Sequence, residues 1–230
     1  MGLVDNPASV CEWNSREAAA LRAALSLPEL PRWPTAAFIS AGLGDKDIAG
    51  IRTVLAAYDR TNAMALIAFL AVQLPLARVS PFGDAVVRAS ISVPAEPEQE
   101  LPLPPLLALT DMSRSTAELV LAINGLGATH REPILASMYR HLAHWPAYLA
   151  LVWTMLAPLK LDQRLDRAIE DAIAQARTAA QCLAAQLPTP LPAIRPITAR
   201  RVERAIDRFT GDVIAKMVVI CSLLCGITDS

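Results

Sequence analysis

Apolar residues recur along this chain at three- and four-residue spacing, broken by clusters of proline and glycine, and that period predicts helices. In the C-terminal half it predicts a helix over Ser113–Leu126, with a Ser/Thr-rich start and with Gly125 and Gly127 near its end. Glu132-Pro133 opens the next helix, since proline is tolerated in a first turn. Trp145-Pro146 ends it and starts another that runs through Met155. Asp162–Gln186 reads as a long amphipathic helix, with Leu165, Ile169, Ile173 and Ala176 on one stripe. A proline-rich turn, Pro188–Pro196, leads to helices over Thr198–Phe209 and Val213–Cys225. In the N-terminal half Glu17–Leu27, Asp45–Tyr58 and Ala63–Leu74 carry the helical period, with a proline turn at Pro28–Pro34. Between the halves, Pro81, Pro94, Pro97, Pro102, Pro104 and Pro105 make residues 79–106 unfavourable for helix, with Val86–Val93 as a short extended piece.

The two halves also resemble each other. Pro7 leads to Trp13 much as Pro146 leads to Trp153, and Asp45–Tyr58 with Ala63–Leu74 matches Thr198–Phe209 with Val213–Leu224. Asn62 then falls opposite Asp212, while the first half has no counterpart of the Ser113–Leu126 and Glu132–His144 helices. The expected organisation is an incomplete helical repeat over 1–78, a proline-rich linker over 79–106 and a fuller repeat over 107–230, all in one integrated domain.

Composition strengthens the all-α expectation. Hydrophobic residues make up 53% but aromatics only 5%, so the excess is mostly Ala and Leu, which favour helix over strand. A formal net charge of −1 supplies no general attraction for nucleic acid or an anionic membrane. The longest uncharged windows are Asn62–Ala77, short of a span, and His141–Leu159, which carries two histidines, Pro146 and Pro158, so no membrane span is expected. Cysteines at 11, 182, 221 and 225 lack disulfide-framework or zinc spacing, and no basic n-region precedes an apolar stretch at the start. A cytoplasmic location with reduced thiols follows as the expectation.

Candidate chemistry is sparse. His141 and His144 lie i, i+3 on one helix with His130 in the loop before, but no third ligand has metal-motif spacing. Cys221 and Cys225 at i, i+4 on an apolar helix read as buried, inert thiols. Arg200, Arg204 and Arg208 are interleaved with Glu203 and Asp207, which makes a solvated face rather than a nucleic-acid footprint. Asn124-Gly125-Leu126-Gly127 lacks the preceding strand and third glycine of a dinucleotide loop and reads as a helix stop, so no cofactor is expected.

One segment carries more. Ser137-Met138-Tyr139-Arg140-His141-Leu142-Ala143-His144-Trp145-Pro146 resembles the active-site helix of the group I 2-haloacid dehalogenases. Further matching pieces are Pro105-Leu106-Leu107 through Asp111, Ser115-Thr116-Ala117-Glu118, Ala157-Pro158, and in the first half Asp45–Tyr58 and Asn62. The resemblance runs from about Trp13 to the C-terminus. It implies an all-helical fold of two pseudo-symmetric repeats around an internal cavity, without a cofactor. The implied activity is hydrolysis of 2-halocarboxylic acids to 2-hydroxy acids, by direct attack of an aspartate-activated water at C2. Such chemistry needs a carboxylate within hydrogen-bond reach of one water in a shielded pocket.

By the resemblance, Ser137 falls on a substrate-contacting serine and Asn62 on an asparagine facing the same cavity, while Met138 stands where the family has its catalytic aspartate. Methionine cannot accept that proton, and as a plain core residue it packs adaptably. Asp212, opposite Asn62, is the candidate replacement base if buried and unpaired, since burial would raise its pKa; it equally suits the cap of the following helix. The family's first helix supplies a pocket tryptophan and phenylalanine; Trp33 and Phe38 fall elsewhere in the alignment and inherit no such role. Absence of that helix would expose an apolar seam and favour a homodimer. Three readings stand: a hydrolase acting through another base, an inactive relative that binds a small carboxylic acid or a partner protein, and a shortened chain lacking the first helix.

Overall fold

The computed structural model describes residues 7–76, 102–130, 132–185 and 195–228. Every regular element among them is helical. In order they are α1 (Pro7–Ala24), α2 (Thr35–Ser40), α3 (Asp45–Leu76), a 3₁₀ turn (Leu109–Asp111), α4 (Arg114–Gly125), α5 (Ser137–Leu142), α6 (Pro146–Leu161), α7 (Arg164–Ala184), α8 (Pro196–Phe209), a π-helical turn (Thr210–Ile214) and α9 (Ala215–Thr228). The Val86–Val93 piece and the turn up to residue 194 lie outside the described residues.

The 32-residue α3 is the axis of the fold, packed against α9, α7 and α1. Its buried positions include Ile51, Val54, Leu55, Leu66, Ile67 and Leu70, and in α9 the residues from Ala215 to Cys221 are all buried. Helix α7 buries one stripe, Leu165, Ile169, Ala172, Ala176, Ala180 and Leu183, at spacings of three or four residues. Small residues in that stripe let the helix approach α3 closely. At the interface of α1, α3 and α9, Asp59 accepts from Arg22 at 2.5 Å and from Ser222 at 2.7 Å, so its buried carboxylate is paired. A separate aromatic group, Trp33 with Phe38 at 5.7 Å and Tyr148 at 6.1 Å, fills the end near Thr228.

Several boundaries differ from the sequence reading. Asn62 does not interrupt the helix: α3 runs straight through it. Thr198–Phe209 and Val213–Cys225 are likewise joined, because the chain between them winds as a π turn instead of leaving the helix. The two fusions overturn the expectation that no helix is long enough for a membrane span. Asp45–Gln73, with 29 residues, and Ile197–Thr228, with 32, are long and apolar enough to cross one, although 50% and 78% of their most apolar windows are buried inside the protein. The windows seemed short because charged residues such as Arg60 and Lys216, which the long helices carry within them, bounded the uncharged runs.

Helix α5 starts at Ser137, five residues after the predicted opening at Glu132. The side chain of Asn124 holds the intervening segment out of helix, donating to the Ile134 carbonyl at 3.2 Å and accepting from the Ala136 N–H at 3.1 Å. Helix α4 matches its predicted span within a residue at each end, with the Ser113 hydroxyl accepting from the Thr116 N–H at 3.2 Å as an N-cap. Helix α6 begins at Pro146 as predicted but carries Pro158 inside it and ends at Leu161.

Candidate functional site

A partly open cleft of about 120 Å³ lies where α3, α5 and the α8–α9 junction meet. Its wall has three parts: Tyr58 and Asn62 from α3; residues 134–138, ending in Ser137 and Met138; and Phe209, Val213, Ile214 and Met217 around the π turn. The three positions singled out by the resemblance, Asn62, Ser137 and Met138, therefore come together in one place although 75 residues of chain separate the first two.

The local sequence explains each placement. Tyr58 and Asn62 are i, i+4 on an unbroken helix and so share a face. The π turn adds a residue to the helical ladder, and Thr210 returns its hydroxyl proton to the Ile206 carbonyl at 2.8 Å. From the end of that turn into α9, Val213, Ile214 and Met217 line the cleft, while the neighbouring Asp212 and Lys216 are buried outside its lining.

Every polar side chain in the lining is uncharged. The Tyr58 hydroxyl is hydrogen-bonded to Ser137, and its pKa is raised, chiefly by burial. The Asn62 amide donates to the Cys221 sulfur at 3.5 Å, and that thiol lies 3.3 Å from the Met138 sulfur. Burial pushes the Cys221 thiol well above its usual range, and nearby Asp59 and Cys225 act in the same direction. Met138 is fully buried. At Met138, which the resemblance sets on the position of a catalytic aspartate, two sulfurs are in contact.

No carboxylate replaces it in the lining among the described residues. Asp111 is exposed and accepts from the Ala108 N–H, and Glu118 is exposed and paired with Arg114 at 2.8 Å. Asp212 is fully buried, as the base hypothesis required, but it is not unpaired. Its Oδ1 accepts from the Thr129 hydroxyl at 2.7 Å and is 2.6 Å from the His130 Nδ1. Burial acts to raise its pKa, yet the hydrogen bonds from Thr129 and His130 and the charge of His130 outweigh it and hold the carboxyl below the ordinary range. Arg208 stands 3.8 Å from Oδ2, which has no hydrogen-bond partner among the described residues. An acid held ionised in this way is a weaker proton acceptor than the one anticipated.

Behind the cleft lies a polar network that the sequence did not reveal. Lys216, fully buried, donates to the Asn124 carbonyl; burial lowers its pKa to about 8 against the opposing pull of Asp212. Asn124 grips Ile134 and Ala136, and Arg208 donates to the Glu132 carbonyl at 3.2 Å. The segment that carries Ser137 and Met138 is thus pinned from behind. The i, i+4 pair of Asp212 and Lys216 in an otherwise apolar run was the available signal, and Tyr58 was legible as the residue one turn before Asn62.

The histidines serve the packing. His141 Nδ1 is 2.7 Å from the Pro104 carbonyl and His144 Nε2 is 2.8 Å from that of Pro105, while Arg140 donates to Leu107 at 2.7 Å. Desolvation lowers the His141 pKa most, with its hydrogen bond to Pro104 opposing. Helix α5 so ties down the chain entering from the linker. No grouping of three His, Cys, Asp or Glu suited to a metal occurs among the described residues. Trp33 packs against both Phe38 and Tyr148, and neither Trp33 nor Phe38 lines the cleft. In comparisons with known proteins, no family model and no curated sequence matches this chain.

Proposed function

We propose that this protein is a non-catalytic relative of the group I 2-haloacid dehalogenases that binds a small carboxylic acid in the cleft between α3, α5 and the α8–α9 junction. The observation that carries this reading is the convergence of Asn62, Ser137 and Met138 on one small apolar cleft whose lining holds no carboxylate among the described residues. An apolar cavity of roughly 150 Å³ accommodates benzene, so a cleft of about 120 Å³ suits an acid of a handful of non-hydrogen atoms. The two-repeat architecture belongs to the same proposal. Its support is that α3 and the fused α8–α9 are both long helices with Asn62 and Asp212 near their midpoints, packed against each other. A cytoplasmic location, expected from the cysteine usage, belongs to the same proposal.

Halide release from racemic 2-bromopropanoate tests the catalytic half of the proposal. The folded wild-type chain should release no more halide than a control without protein. Met138→Asp, which puts a carboxylate back beside Ser137, should release more than wild type if the cleft otherwise retains the family's geometry. Clear turnover by the wild type would overturn the non-catalytic reading and make Asp212→Asn the next variant.

A further inference from the structure

We infer that the cleft takes its ligand uncharged: a short branched acyl compound bound as the neutral acid or, equivalently, as its primary amide. This rests on the proposed binding function and names the chemical form that the site accepts.

The wall offers hydrogen bonds without charge, from the Tyr58 and Ser137 hydroxyls and the Asn62 amide, set among Ile134, Leu135, Phe209, Val213, Ile214 and Met217. A carboxylate moved from water into such a setting loses hydration that neutral donors only partly replace, and so it tends to take up a proton. Among the described residues, the charged groups packed around the cleft are engaged with other partners, and Tyr139 beside Met138 is a fully buried phenol that burial holds protonated, its hydroxyl without a hydrogen-bond partner. On α3, Asp59 is held by Arg22 and Ser222. On α5, Arg140 is bonded to the Leu107 carbonyl and His141 to that of Pro104. Around the π turn, Arg208 donates to Glu132, Asp212 is held by Thr129 and His130, and Lys216 donates to Asn124. On α9, Cys221 lies between Asn62 and Met138. Among the described residues Tyr58 alone is ionisable and in the lining, and it is neutral as a phenol. The charge of Arg140 reaches the Tyr58 hydroxyl, but its side chain is absent from the lining. Helix α5, at six residues, adds little dipole at Ser137.

A neutral ligand with one carbonyl oxygen and one O–H or N–H matches this wall. The oxygen accepts from Tyr58 or Ser137, the hydrogen is donated to a hydroxyl or to the Asn62 carbonyl oxygen, and the branched carbon chain lies on Met138, Val213 and Met217.

The test compares 2-methylpropanamide with 2-methylpropanoate, titrated into the full chain carrying ¹³C-methyl methionine, with the Met138 methyl signal assigned through Met138→Leu. An acid with a pKa of about 4.3 is protonated to roughly one part in 500 at pH 7. The amide should therefore bind at least about 30-fold more tightly at that pH, and the apparent affinity of the acid should rise about tenfold for each unit of pH lowered. Ser137→Ala should weaken amide binding by about five- to tenfold, as expected for one lost hydrogen bond. Acid binding at pH 7 as tight as that of the amide would overturn this inference and leave the binding function standing. Unchanged amide affinity in Ser137→Ala would overturn it too. If neither compound moves the Met138 signal of the folded protein, the binding function falls and this inference with it.

Discussion

Asn124→Ala isolates the contact that shapes the cleft. Asn124 is 1% exposed, so solvent cannot replace what its side chain provides. Truncation leaves the Ile134 carbonyl without its donor at 3.2 Å and the Ala136 N–H without its acceptor at 3.1 Å. A buried polar group deprived of its partner costs about 1–3 kcal/mol, and the half-buried Ile134 end should fall at the low end of that range. The sum is about 2–4 kcal/mol. For a domain of this size each kcal/mol moves Tm by about 2–4 °C, so a fall of roughly 5–15 °C is expected. Urea titration followed by circular dichroism reads the free energy, and a thermal scan reads Tm. Asn124→Leu, similar in volume but unable to hydrogen-bond, should lose about as much and so exclude a simple packing defect. A loss below about 1 kcal/mol for Asn124→Ala, with an unchanged urea slope, would refute the reasoning. It would mean that the 134–137 segment holds its path without the asparagine.

Two further predictions concern the same wall. Lys216 has a pKa of about 8 in the folded chain, below the value of about 10.4 expected when unfolded. Between those values the unfolded chain binds more protons, so the contribution of this group to stability rises with pH across that window, and the burial penalty is fully present below it. The stability of wild type minus that of Lys216→Met should therefore increase from about pH 8 to about pH 10 in urea titrations; a flat difference would count against a buried ammonium. Gly127 has φ of +67°, and a Cβ there would come within 2.6 Å of the Ile169 Cδ1. Left-handed strain and overpacking together predict a loss of about 2–4 kcal/mol for Gly127→Ala. Gly125→Ala, where an added Cβ meets nothing within 4 Å, should stabilise the end of α4 by up to about 1 kcal/mol in the same assay.

What the amino-acid sequence determined by itself was helicity, capping and the relation of nearby residues. The 3.6-residue period of α7, the Ser113 cap and the Pro146 start of α6 depend on neighbours a few positions apart, and all three appear in the structure. The cleft was legible in part, through the resemblance that paired Asn62 with Ser137 and set Met138 beside them. Tertiary structure decided the rest. Whether a polar residue interrupts an apolar helix depends on whether a partner meets it: Asn62 finds Cys221, and Asp212 finds Thr129 and His130, so both stay inside long helices. Those two junctions were read as helix boundaries because isolated propensity assigns such polar residues to turns and caps, while the membrane expectation came from uncharged windows that charged residues cut short. The start of α5 was misplaced for the same reason, since Asn124 captures the backbone of Ile134 and Ala136 from another element. The ionisation of Asp212 was equally hidden, because burial alone raises a carboxyl pKa, whereas donors brought from a distant loop lower it. Periodicity is a local property of the chain; the partner that satisfies a buried polar group is supplied by the fold.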